Sequence, residues 1–187
     1  MAPKNALIVV DAQQGFEDAG YWGPRNNPVC ESNIVRLMDY WASASQPIVL
    51  VRHDSMNPQS PLHPDSLGNA LLAEVGSRPH DLLVTKSVNS SFYGTPDLHQ
   101  WLTNANIGSV TICGITTNHC CDTTARMAGN LGYYTYFVLD ATHTFDRPGV
   151  GGGAGLSAED LSAATAVNLH GEFATVMSTD EALRLLL

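Results

Sequence analysis

The chain has 187 residues, of which 44% are hydrophobic and 14% charged, and its formal net charge is −9. That length suits one domain over 1–187, since domains commonly hold about 100–200 residues, and the composition excludes a disordered chain or a coiled coil. The nine Lys and Arg are scattered through an acidic chain, which leaves no nucleic-acid footprint, and no apolar run approaches the roughly 20 residues that span a bilayer, so neither nucleic acid nor membrane is an expected partner.

Ala6–Val10 is a short β-branched apolar run ending in Asp11, the pattern of a strand buried on both faces. After a polar loop, Ile34, Val35, Leu37, Met38 and Trp41 recur at helical spacing and predict a helix over Glu31–Trp41. Pro47–Val51 reads as a second strand. Residues 52–67 hold three prolines and read as an extended loop. A short helix is expected around Ala70–Val75, then a third strand over Asp81–Thr85, closed by Lys86. Pro96 marks a helix start, with Leu98, Trp101 and Leu102 on one face. Val110–Cys113 forms strand four and stops at Gly114; a turn with capping residues Thr117 and Asn118 then opens a helix ending near Gly132.

Tyr134–Leu139 is strand five, ending in Asp140. The glycine-rich stretch 146–156 lacks the Gly-Lys-Ser/Thr of a phosphate-binding loop and reads as a linker. Ser157 caps a helix running to about His170, Phe173–Met177 is strand six, and Thr179 caps a short helix through Leu186. Strand and helix alternate throughout, which predicts an α/β fold: a doubly wound, mostly parallel six-stranded sheet with helices on both faces, a three-layer αβα sandwich of Rossmann type. A (β/α)₈ barrel needs eight units and about 250 residues.

Four cysteines stand at 30, 113, 120 and 121. Their spacing does not look like a disulfide framework, and Met1–Asn5 leads straight into a strand with no signal-peptide pattern, so a reducing cytoplasm is expected. Cys120 and Cys121 fall in the first turn of a helix, where the helix dipole and free N–H groups favour a thiolate; the competing reading is two small buried residues packing that helix on a sheet. Ligands of open parallel sheets bind beyond the carboxyl ends of the strands. Asp11, Lys86 and the cysteine pair all stand at such ends. Alone, each would pass as a loop cap, a solvated lysine or a packing thiol; together they point to a site for a small-molecule substrate.

Four stretches in order carry a resemblance: Ala6–Phe16; Val51–Ser55 with Ser60–Pro64; Lys86 with Ser91–Thr95; and Gly114–Cys120 followed by Thr124–Arg126. On these residues the chain resembles the isochorismatase-like cysteine hydrolase superfamily, in its metal-independent branch, over nearly its whole length. The resemblance implies a catalytic triad of Asp11, Lys86 and Cys120, a cis peptide between Ile115 and Thr116, and an oxyanion hole from the Thr116 and Cys120 N–H groups. It assigns Cys121 to packing, which agrees with the roughly 100° between adjacent helical side chains and with the small stripe Cys121, Ala125, Ala128. Phe16, Tyr21, Trp22, Phe92, Tyr93 and His119 are candidate pocket walls, with His53 a further substrate contact and His143–Asp146 a border of the same crevice or a subunit contact. The implied reaction is hydrolysis of a small amide or other C–N bond without a cofactor, in a homodimer or homotetramer. Metal-dependent nicotinamidases carry Asp-x-His after strand two where this chain has Arg52-His-Asp-Ser55, so no metal is expected on His53, Asp54 and His63. The rivals are a vinyl-ether hydrolase of isochorismatase type and a catalytically silent binding protein on the same fold.

Overall fold

A computed structural model describes residues 4–185. Six strands form one sheet: β1 (Asn5–Val10), β2 (Ile48–His53), β3 (Leu82–Lys86), β4 (Ser109–Ile115), β5 (Tyr134–His143) and β6 (Thr175–Met177). All neighbours pair in parallel, in the order β3-β2-β1-β4-β5-β6. Chain order reverses between β1 and β4, so the crevice of the sheet opens above their carboxyl ends. The helices are α1 (Ala19–Trp22), α2 (Cys30–Ser43), α3 (Ala73–Gly76), α4 (Leu98–Asn104), α5 (Asp122–Asn130), α6 (Ala158–Leu169) and α7 (Thr179–Ala182).

The two-residue period of a strand sorts the core into two layers. On one face Ala6, Ile8 and Val10 of β1 pack with Leu98 and Leu102 of α4, Ala125 and Ala128 of α5 and Leu169 of α6. On the other, Leu7 and Val9 pack with Ile34, Leu37 and Trp41 of α2, Val75 of α3 and Ala182 of α7. Both sets on β1 are fully buried, which explains why its sequence is an uninterrupted apolar run. Burial of each such side chain stabilises the fold by about 1.5–3 kcal/mol.

Several boundaries differ from the sequence expectation. β2 runs on through Arg52 and His53, and β4 through Gly114 and Ile115. β5 continues past Leu139 to His143, with a register shift: Ile112 pairs with Phe137 but Gly114 with Thr142. The polar Asp140 sits in that bulge, where its carboxylate accepts from the Thr179 N–H and hydroxyl, both at 2.7 Å. Ser178, not Thr179, caps α7, in a reciprocal capping box with Glu181; Leu186, expected to end that helix, lies outside the described residues. Thr117 and Asn118 do not cap α5: Thr117 Oγ1 donates to Thr142 Oγ1 at 2.8 Å and the Asn118 side chain accepts from the Thr144 hydroxyl, because the chain passes through a π-helical turn, Thr117–Cys121, before α5. Pro96 precedes α4, whose cap is Asp97.

Candidate active site

At the sheet crevice the chain brings Asp11, Lys86 and Cys120 together. Lys86 ends β3 and its ammonium donates to Asp11 Oδ2 at 2.7 Å, to His53 Nδ1 at 3.2 Å and to Cys120 Sγ at 3.4 Å. The three donors of the ammonium thus meet three acceptors. The Asp11 and Lys86 side chains have no exposed surface. Asp11 Oδ1 is buried with no hydrogen-bond partner.

Local features explain these placements. Asp11 leaves β1 in a left-handed conformation, φ 48°. Gly114 sits on β4 at φ 126°, so close to β1 that a Cβ there would lie 2.0 Å from the Val10 carbonyl oxygen. Only glycine permits that approach, and it brings the start of the Cys120 turn beside Asp11. Gln13, fully buried, clamps the backbone of His53: its amide donates to the His53 carbonyl at 3.0 Å and accepts from the His53 N–H at 2.8 Å. Asn69 ties the long loop down by donating to the carbonyls of His53 at 3.1 Å and Leu62 at 2.9 Å. The Ile115–Thr116 peptide is cis. Beyond it, the Thr116 carbonyl accepts from the N–H groups of His119 and Cys121, while the Thr116 N–H has no hydrogen-bond partner among the described residues.

A cavity of about 120 Å³ is lined by Asp11, Phe16, Trp22, His53, Leu62, Asn89, Thr116, His119 and Cys120. Of the residues expected to meet substrate, Phe16, Trp22, His53 and His119 are on its wall. Tyr21, Phe92 and Tyr93 are not. Tyr21 stands out in solvent with its ring edge on Trp22; Phe92 stacks on Tyr133 with centroids 5.9 Å apart, packed against the core by the short turn that follows Lys86; Tyr93 is exposed beside a neighbouring shallow cavity. Phe145 backs the cavity, stacked on both Phe16 and Trp22, and His143 lies fully buried against it. Leu62 and Asn89 were missed from sequence. Asn89 brings its Oδ1 within 3.9 Å of Cys120 Sγ, and its only sequence signal is its place three residues after Lys86.

The electrostatics correct one expectation. Burial, and then the Asp11 carboxylate, push the Cys120 thiol well up, and Lys86 only partly opposes them. Cys120 therefore rests as a thiol: a helix terminus and a nearby cation do not ionise a sulfur withdrawn from water beside a carboxylate. For Lys86, burial alone would lower the ammonium; Asp11 and Cys120 outweigh it and hold the group above its ordinary range. Burial followed by Lys86 lowers His53, so the imidazole is neutral and able to accept at Nδ1. Cys121 is fully buried in the core layer with Ala125 and Ala128.

The loop residues do not form a metal-binding set. Asp54 is held by Arg52 at 2.8 Å, and His63 lies 3.6 Å from Asp65. Among the described residues the one group with suitable donors is Asp11, His53 and Cys120, and all three already face the Lys86 ammonium. A divalent ion placed there would meet that cation at contact distance, so the donor set does not fit a metal.

An all-parallel αβα sheet with an acid, a lysine and a cysteine at its crevice defines an α/β domain with a candidate small-molecule site, and the comparisons narrow it. The isochorismatase domain model matches residues 5–181, and the chain belongs to the isochorismatase family. It is 40% identical to the uncharacterized isochorismatase family protein YrdC of Bacillus subtilis, over 97% of this chain and 95% of that one. It is 29% identical to Nicotinamidase 3 of Arabidopsis thaliana, over 97% and 88% respectively. A crystal structure of an isochorismatase-family protein from Chromobacterium violaceum superposes with a TM-score of 0.91 at 34% identity, covering 98% of this chain and 93% of that one. The family supports a hydrolase.

Proposed function

We propose that the protein hydrolyses the C–N bond of a small amide through an acyl-enzyme on Cys120. The observation that carries this reading is the meeting of the Cys120 thiol, a buried carboxylate with one unpartnered oxygen, and a buried ammonium at one cavity. Likeness to a nicotinamidase adds support. The cavity has room for roughly four water-sized groups, the scale of an amide and its first substituent.

In this reading Asp11 takes the Sγ proton as the sulfur attacks the carbonyl carbon. Lys86 stays cationic and offsets the negative charge that forms beside it. The carbonyl oxygen becomes an oxyanion held by the Thr116 and Cys120 N–H groups; one such donor is worth roughly 3–4 kcal/mol in the transition state. Asp11 returns its proton to the amide nitrogen, the C–N bond breaks, and the amine leaves. A water then attacks the thioester, passing a proton to Asp11 and releasing the acid and the thiol. The same reading carries a homo-oligomer, by likeness to the family, working in a reducing compartment such as the cytoplasm, as four unpaired cysteines suit.

The test is release of ammonia from a set of small amides, ureido compounds and nicotinamide, with and without chelator, set against release of pyruvate from isochorismate. We expect ammonia from the parent protein, indifference to chelator, and background rates from Cys120→Ala. Full activity in Cys120→Ala, or pyruvate release alone, would overturn the reading.

A further inference from the structure

Asn89 lines two cavities. One holds Cys120, with Asn89 Oδ1 3.9 Å from its Sγ; the other is an open groove of about 620 Å³ whose remaining walls are Val88, Ser90, Tyr93, Thr123 and Met127. Two further large cavities, beside Ile48 and beside Val176, share no residue with the catalytic one. The groove is built from the two segments that supply the reacting groups. Val88, Asn89, Ser90 and Tyr93 follow Lys86 in the turn after β3, while Thr123 and Met127 follow Cys120 on α5. Four residues apart on a helix, Thr123 and Met127 lie in one row that leads away from the Cys120 turn. Buried hydrogen bonds tie the two segments together: the Ser91 N–H donates to Thr124 Oγ1 at 3.1 Å, and the two hydroxyls meet at 3.0 Å. With Phe92 stacked on Tyr133 against the core, its neighbour Tyr93 is turned outward.

The chemistry of this lining is selective. The chain carries a net charge of −9, yet none of the six lining residues is charged. Tyr93 is 70% and Val88 48% exposed, and Met127 adds a half-buried thioether. Apolar surface left in water beside a cavity with convergent polar groups is characteristic of a ligand site. The catalytic cavity, at about 120 Å³, is filled by an amide and one further group. Anything longer on a substrate has to leave it, and the way past Asn89 ends on uncharged, largely apolar surface.

We propose that the groove holds an uncharged apolar arm of the substrate, so that the enzyme acts on amides substituted with an alkyl or aryl chain. The reacting amide lies at Cys120, the chain passes Asn89, and its end packs on Val88, Met127 and the ring of Tyr93. This inference rests on the amide-hydrolase reading of the cavity.

Binding to Cys120→Ala protein, read by calorimetry, tests the groove without turnover. Three amides serve: acetamide, which fills the catalytic cavity alone, phenylbutyramide, with the arm on the acyl side, and N-phenethylacetamide, with the arm on nitrogen. An arm that reaches the groove should tighten binding by at least about tenfold over acetamide, the effect of burying one apolar side chain, and the two arms show which side of the amide faces it. The gain should vanish in Val88→Ser/Tyr93→Ser and persist in Tyr93→Phe; both side chains are exposed, so these substitutions leave the core intact. In active protein the favoured amide should show the lower KM, and the double variant should bring that KM toward the value for acetamide. Tyr93-dependent binding with no amide turned over by the parent protein would refute the hydrolase reading and keep the groove. No gain from either arm, or a gain that survives the double variant, would overturn the groove whether or not acetamide is hydrolysed. An oligomer that falls apart in the double variant with amide affinities unchanged would also overturn it, and assign this surface to a contact between copies.

Discussion

His143 shows how a single buried side chain couples this fold to pH. It has no exposed surface, neither ring nitrogen makes a hydrogen bond although Nε2 lies 3.5 Å from Glu31 Oε1, and Phe145 packs on the ring edge to face with centroids 5.2 Å apart. Burial, then the Arg25 guanidinium, pull its pKa down to about 3, with Glu31 opposing. The folded value lies below the unfolded one of about 6.5, so the fold favours the neutral ring. That stability is complete above about pH 6.5 and drains as the pH falls toward 3, by roughly 1.4 kcal/mol per unit for one such group. Urea unfolding at pH 6.5 and pH 5 should therefore show a smaller loss for His143→Phe than for the parent protein. Parallel losses would remove His143 from the account.

At the scale of elements, the site depends on how closely β4 lies against β1. A Cβ at Gly114 would overlap the Val10 carbonyl, and its φ of 126° is one that side chains rarely adopt. Gly114→Ala combines backbone strain with overpacking, each costing about 1–3 kcal/mol. We expect a loss of roughly 3 kcal/mol in guanidinium unfolding, together with weaker coupling between Asp11 and the Cys120 turn, read as a changed alkylation rate at Cys120. A variant as stable as the parent would show that the strands can separate without cost. The π-helical turn after β4 belongs to the same scale. Thr117 and Asn118 looked like caps because their residue types favour that role; their hydroxyl and amide instead tie the turn to Thr142 and Thr144 on the far side of the crevice.

For the molecule as a whole, the two core layers settle which thiols can react. All four cysteines are free; Cys30, Cys113 and Cys121 are fully enclosed, and Cys120 alone keeps a small exposed surface, 8%, at the cavity. Folded protein treated with iodoacetamide should gain one adduct per chain, on Cys120, and slowly, because the sulfur rests protonated. In denaturant all four should react. A second adduct on folded protein would mean that a core layer opens at low cost.

The sequence by itself determined the alternation of elements, the parallel sheet and the three strand-end residues, because burial on both faces writes continuous apolar runs and strand ends are where those runs stop. The resemblance to a known family assigned the reactive role to Cys120 and packing to Cys121, and helical spacing agreed by putting the latter in a stripe of small residues. Strand ends marked by polar residues were less legible: Arg52 and His53 extend β2, and Asp140 to His143 extend β5, with no apolar signal. The tertiary structure alone decided what faces what. Lys86 is distant in sequence from Asp11, His53 and Cys120, and nothing in local pattern says that one ammonium would meet all three. The raised thiol and the displacement of Tyr21 and Phe92 from the cavity wall arise in the same way. Each depends on desolvation and on charges that only the packed chain brings within reach.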